Sequence, residues 1–289
     1  GELNNSGVSA AGTITQDGDE IHVRIIASGL TPDETHMQHI HGQEEGAAFC
    51  PGPDFDTDGS GMLELPEGVP AYGGVIVGLF DDVEAETYPT ASAEGSLAFE
   101  MTYTVDAEAL GDLSNRVVVL HGMTVDEEYD PALPVACSLI VPAEGVSYAA
   151  LQLSGDNVLP DPVESDGSGS AWFWHDVEGD VIYYMLLVEG IEDITAAHIH
   201  AGSAEESGGV IVPLFVGLEE GESVSGFGIL ASGRITADDL SGDLEGMTLE
   251  DLVALFGTSS ADSEAYVNVH SLSYPPGEIR DQVRPVLTV

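Results

Sequence analysis

A chain of 289 residues is long enough for two domains of ordinary size, and this one carries 52 Asp and Glu against five Arg and no Lys, a formal net charge of −47. Such a surface cannot assemble the basic patch that nucleic acid or an anionic membrane requires, and the partners it implies are metal cations. Hydrophobic residues make up 43% and are interleaved with the acids, which argues against disorder, and no apolar run is long enough to insert across a bilayer.

The acidity suits high salt, which screens self-repulsion, or a setting rich in divalent ions. The opening "GELNNSGVSA" lacks the basic and apolar regions of a signal peptide, so export would place Gly1 at or near the mature N-terminus. In chain order, most segments read as short strands rich in Val, Ile, Tyr and Phe, separated by Gly, Pro, Asp and Ser. The uncharged stretch "LNNSGVSAAGTITQ" is a candidate strand for joining neighbouring molecules.

The segment "GDEIHVRIIASGLTPDETHMQHIHG" at 18–42 ends in a strand on which His39 and His41 share one face while Ile40 takes the other. His36, three residues before His39, has two readings, orienting a ligand from behind or simply being exposed. In "CPGPDFDTDGSGMLELPEG" at 50–68, Asp54, Asp56 and Asp58 alternate ahead of Gly59, the opening of a calcium loop. Counted from Asp54, the twelfth position is Leu65, and Glu64 and Glu67 fall out of register, so the match covers the first half of that pattern. The strands "YGGVIVGLF" at 72–80 and "RVVVLHGM" at 116–123, with His121, complete the first half.

That order then recurs. "GDVIYYMLLVEGIEDITAAHIHAG" at 179–202 carries His198 and His200, "SGGVIVPLF" follows at 207–215, and "AYVNVHSL" at 265–272 carries His270. The repeat predicts two domains, 1–144 and 145–289. Between the last two segments, Thr248 with Asp251 three residues on opens one short helix closed by Gly257, and each half is expected to hold at most one. Three neutral imidazoles from two adjacent strands make a transition-metal site with an open position, suited to copper or zinc; the alternative is a buried polar cluster that fastens the strands. His22 and His175 have no counterpart in the other half and read as solvated. Cys50 and Cys137 fit one disulfide formed in an oxidising compartment, and two buried free thiols are the other reading.

At these residues the second half resembles the chordin-type (CHRD) domain, through "LQLSGDNVLPDPVESDGSG", "AAHIHAG", "ASGRITADDLSGDLEGMTLEDL" and "AYVNVHSLSYPPGEIRDQV". The first half resembles a divergent relative through "QHIHG", "VVVLHGMTV" and "YDPALPVAC", without the GEIR ending. CHRD domains are similar in turn to copper/zinc superoxide dismutases, and the resemblance implies an all-β fold of two tandem antiparallel Greek-key β-sandwiches with copper at His39, His41 and His121 and at His198, His200 and His270. Neither half shows the histidine that bridges copper to zinc in that enzyme family, and only the second half has an arginine, Arg280, that might imitate its active-site arginine. A net charge of −47 also opposes steering of an anionic substrate.

The expectation is therefore a secreted or surface metal-binding protein with a structural or interaction role, holding copper or a similar ion on its histidines and calcium on its aspartate loop. The alternatives are a dismutase-like copper enzyme and a calcium-bridged extracellular filament or matrix subunit, a homo-oligomer built through sheet edges or the N-terminal strand. Nucleophile–base pairs and phosphate-cradling glycine loops are absent from the sequence patterns.

Overall fold

The computed structural model describes residues 1–217, 224–259 and 262–286. The chain is mostly β and separates into two compact units, Gly1–Pro51 with Phe55–Ile140, and Val141–Val289 with Gly52–Asp54.

The first unit runs β1 (Ser9–Asp17), β2 (Glu20–Ser28), β3 (Gln38–Gly42), α1 (Leu65–Tyr72), β4 (Gly74–Gly78), β5 (Leu97–Thr104), α2 (Ala107–Leu110), β6 (Arg116–Val125) and β7 (Glu128–Leu139). Two antiparallel sheets form, ordered β1-β2-β5 and β4-β3-β6-β7. Period-two alternation along β2 turns Ile21, Val23, Ile25 and Ala27 inward, where they share one core with Leu97 and Phe99 of β5 and with Ile40, Leu120 and Val135 of the other sheet. Fully buried β3 lies at the centre of its sheet, between β4 and β6.

Two helices occur in this unit where one at most was expected. The segment "LPEGVPAY" of α1 carries two prolines, yet Pro66 sits in the first turn, where its missing N–H has no helical partner to lose. A capping box between Glu64 and Glu67 starts this helix, and Asp106 caps the single turn of α2. Cys50 and Cys137 are joined in a disulfide that ties the acidic segment to β7.

The second unit holds β8 (Val146–Ser154), β9 (Ser168–Asp176), β10 (Val181–Ala201), β11 (Val210–Val216), β12 (Val224–Ile235), α3 (Leu249–Leu255), β13 (Ala265–Ser271), β14 (Ile279–Gln282) and β15 (Arg284–Pro285). The 21-residue β10 organises it. Its first half pairs with β9 and β12, its second with β11 and β13. Between these halves the β12 register shifts twice, around Gly190 at φ +71° and Asp193 at φ +54°, and the strand bends to serve both sides of the core. Pairing runs from β10 through β13, β14, β8 and β9 back to β10, so the sheet is barrel-like. Phe173, Leu186, Ile199 and Val267 fill the interior together with Leu252 and Phe256 at α3, whose Thr248–Asp251 capping box forms as the sequence predicts.

Candidate metal centres

Strand register decides which histidines meet. In the first unit β3 pairs with β6 so that His39 faces Val119 and His41 faces Val117. The His121 backbone N–H donates to the Met37 carbonyl at 2.8 Å, which places His121 level with Met37, two residues before His39. In the second unit His270 of β13 pairs with Ala196 of β10, again two residues before the first histidine of the HIH pair. Residues two apart on a strand share a face, so each register delivers three imidazoles to one side. The partner on the opposite edge also repeats: Ile40 faces Val77 and Ile199 faces Val212, and each pairing shifts immediately before the second histidine, between Ile40 and His41 and between Ile199 and His200.

In both triplets one nitrogen from each ring lies within 4.8 Å of the other two. The ring nitrogens facing away are held by carbonyls or a hydroxyl. His41 donates from Nδ1 to the Gly73 carbonyl at 3.0 Å, and His121 from Nδ1 to the Ala132 carbonyl at 2.8 Å. His39 Nε2 is hydrogen-bonded to the Tyr88 hydroxyl at 2.7 Å. That leaves His39 Nδ1, His41 Nε2 and His121 Nε2 buried with no hydrogen-bond partner. The second unit repeats the pattern, with His200 Nδ1 donating to Gly208 at 3.1 Å and His270 Nδ1 to Pro275 at 3.0 Å. Here His198 Nδ1 is the buried atom without a partner, and the Nε2 atoms of His200 and His270 stand 3.4 Å apart.

Buried polar atoms are nearly always satisfied, so converging bare nitrogens are a costly arrangement that a cation would relieve. Burial also keeps the rings neutral, the state that ligates metal. It pushes His39 down to about 3, and His121 and His198 to about 4, with the neighbouring imidazoles adding to the effect. His41, His200 and His270 are lowered in the same direction by burial. The residues therefore fit a transition ion held by one Nδ1 and two Nε2 donors, with coordination positions to spare.

The two clusters differ in their surroundings. His39, His41 and His121 are all buried, with the Tyr72 ring against His41 and the Tyr88 ring against His39. His198 and His270 are partly exposed, and Tyr266 stacks on His200 at 5.1 Å. Arg280 packs on the same tyrosine: its guanidinium sits 3.6 Å from the Tyr266 ring centre and donates to the Ser203 and Glu206 carbonyls at 2.6 and 2.9 Å. It braces the loop after β10 and positions the ring that backs His200.

The remaining singled-out histidines have structural surroundings. His36 is fully buried, its Nδ1 3.0 Å from the His121 carbonyl and its Nε2 3.0 Å from the Thr31 carbonyl, so it supports the backbone of a cluster histidine instead of a ring. His22 is partly exposed and lies 3.2 Å from Glu100. His175, read as solvated, is buried. Alternation along β9 puts it on the same face as Ala171 and Phe173, both in the core.

The acidic segment also forms a cluster, with one substitution in the expected set. Asp56, Asp58 and Glu67 bring carboxylate oxygens within 4.8 Å of one another. Asp54 does not join them; it lies in the short 3-10 turn Pro53–Phe55. Glu67 reaches the group because it occupies the first turn of α1, accepting from Glu64 N at 3.0 Å, Thr57 N at 2.7 Å and Asp58 N at 3.3 Å. Asp56 accepts from Ser60 N and Gly61 N at 3.1 and 2.7 Å. Backbone donors hold Asp58 and Glu67 below the usual carboxylate range. Counting twelve residues from Asp56 instead of Asp54 would have found Glu67, with Gly61, at φ +81°, in sixth place.

Residues 149–283 match the CHRD domain. The second histidine cluster, α3 and the Arg280 brace all fall inside that CHRD domain, and the match is single. No curated protein matches the chain. CHRD domains occur in extracellular proteins, and the disulfide is compatible with such a setting.

Proposed function

We propose that this is an exported, extracellular or surface-attached metal-binding protein with a structural or interaction role, in which each unit holds copper or a similar transition ion on its three histidines. One observation carries the reading: in both units one nitrogen from each of three imidazoles converges, in the first unit with all three bare and all three opposite nitrogens occupied, in the second with His198 Nδ1 bare and the opposite nitrogens of His200 and His270 occupied. His39, His41 and His121 would hold one ion, and His198, His200 and His270 the other. The shared register and the shared bulge support reading the first unit as a divergent relative of the CHRD domain. The assignment is to binding, since Arg280, to which the dismutase resemblance would give an active-site role, is engaged by loop carbonyls. Titration of chelator-stripped protein with Cu(II), followed by electron paramagnetic resonance, tests it. Saturation at two ions per chain with nitrogen coordination is expected; oxygen-only coordination would assign the ions to the acidic surface and contradict the reading.

A second ion, calcium, is favoured by a separate observation. In "DTDGSGMLELPE" the acidic loop has Asp56, Asp58 and Ser60 at positions one, three and five, Gly61 at six, Met62 at seven for its carbonyl, Glu64 at nine and Glu67 at twelve, the spacing of an EF-hand loop. Helix α1 starts at position ten, as the exit helix of that motif does, and three of these carboxylates already converge. Calcium would cross-link the loop that the Cys50–Cys137 disulfide anchors. Calorimetric titration of the disulfide-bonded protein is expected to show one site of higher affinity above the weak binding of a surface this acidic.

A further inference from the structure

Strand β1 is an edge without protection. It pairs with β2 over nine residues in unbroken register, from Ser9 opposite Ser28 to Asp17 opposite Glu20, and among the described residues it pairs with nothing else. Its burial pattern is unusual: every residue is exposed except Ile14, which is half-buried and packs against the core. Ordering nine residues costs backbone entropy at every one of them. A strand that buries only part of one side chain recovers little of that from burial, and adding a neighbour on the open edge supplies the missing ladder of hydrogen bonds.

Edges are normally guarded by charge, proline, bulges or a covering segment. The β7 edge of the other sheet is covered by the N-terminal residues, with Glu2 bridged to Ala136 and Leu3 N donating to the Val135 carbonyl. At the opposite edge of its own sheet, β5 carries Glu100 with Arg24 beside it. Apart from Asp17 at its end, β1 has none of these devices. The run from Leu3 to Gln16 contains no charged residue, in a chain where one residue in five is charged. Ile26 of β2, more than half exposed, sits opposite Ala11 and extends the apolar character of the strip.

We propose that β1 pairs antiparallel with β1 of a second copy, joining two three-stranded sheets into one across a two-fold axis. Charge selects this occupant. Two molecules of net charge −47 repel wherever acids face each other, and β1 offers a backbone edge where they do not. Pairing centred on Thr13 sets Asp17, the one ionisable residue of the strand, opposite Ser9 of the partner subunit and far from its own equivalent. The contact is independent of the histidine and calcium readings, because it uses none of their residues.

Sedimentation velocity of the full chain at about 1 M salt, where the Debye length is about 3 Å, tests the proposal. A reversible dimer is expected, and Thr13→Asp, which places like charges face to face on an exposed position, should raise its dissociation constant at least tenfold while leaving the circular dichroism unchanged. In parallel, Thr13→Cys should form an intermolecular disulfide on mild oxidation and Thr102→Cys, on the opposite edge strand, should not. A monomer at every concentration, a dimer indifferent to Thr13→Asp, or equal cross-linking of the two cysteine variants would overturn it.

Discussion

The Nε2 atoms of His200 and His270 face each other at 3.4 Å while each ring donates its Nδ1 proton to a carbonyl. With both rings neutral, two lone pairs confront one another across that gap, and His198 Nδ1 lies in the same cluster. A cation converts this repulsion into coordination. Removing one second-sphere partner of a metal-bound histidine typically costs 10–100-fold in affinity, so His270→Ala, which removes a ligand, should weaken Cu(II) binding in the second unit by at least about 100-fold. Competition titration against a chelator of known strength measures this, and retention of affinity would mean that His270 is not a ligand.

Burial fixes the sign of the pH response. An unfolded histidine titrates near 6.5, whereas folding lowers His39 to about 3 and His121 and His198 to about 4. Because the folded values are depressed, the metal-free protein keeps its full stability above about pH 6.5 and loses it as the pH falls from there toward 4, where the unfolded chain takes up protons that the folded chain refuses. Chemical denaturation at a series of pH values should show this decline. Binding of copper should persist below the pH at which free imidazole releases it, since protons do not compete for rings that stay neutral.

Glu67 and Asp54 separate the carboxylate cluster of the structure from the calcium count read from the sequence. Glu67→Gln removes the twelfth-position carboxylate and should lower calcium affinity by about tenfold or more, whereas Asp54→Asn should change it little. The reverse order of effects would restore the Asp54-based count.

The Cys50–Cys137 disulfide closes 87 residues of chain. Its reduction, or Cys137→Ser paired with Cys50→Ser, should destabilise the first unit by about 2–5 kcal/mol, mostly by freeing the unfolded chain. Calorimetry should show the loss in one transition and leave the CHRD domain, which contains neither cysteine, unchanged.

Much of this was legible from residue order. The repeat of HIH, then Val-Ile-Val, then a lone histidine foretold the two clusters, and the Thr248–Asp251 pair foretold α3. Register was not legible. Whether His121 meets His39 depends on how β6 slides along β3, which is a property of distant pairing and of the bulge beside His41. Helix α1 was hidden by Pro66 and Pro70, residues that argue against a helix until a capping box shows where its first turn lies. Asp54 stands outside the carboxylate cluster for a simpler reason: in so acidic a segment several alternating aspartates can begin the same pattern, and it is Asp56 and Asp58 that Glu67 reaches from α1. His175 was misjudged because its neighbours Trp172 and Trp174 are the outward residues of β9, leaving the histidine on the core side.

The most direct measurement is the copper content of protein reconstituted with Cu(II) and passed through a mild chelator, compared with its His39→Ala/His41→Ala and His198→Ala/His200→Ala variants. Two ions per chain falling to one in each variant would be the predicted result, because each unit supplies its own three nitrogens. A content that both variants leave unchanged would contradict the account and make the histidine clusters structural.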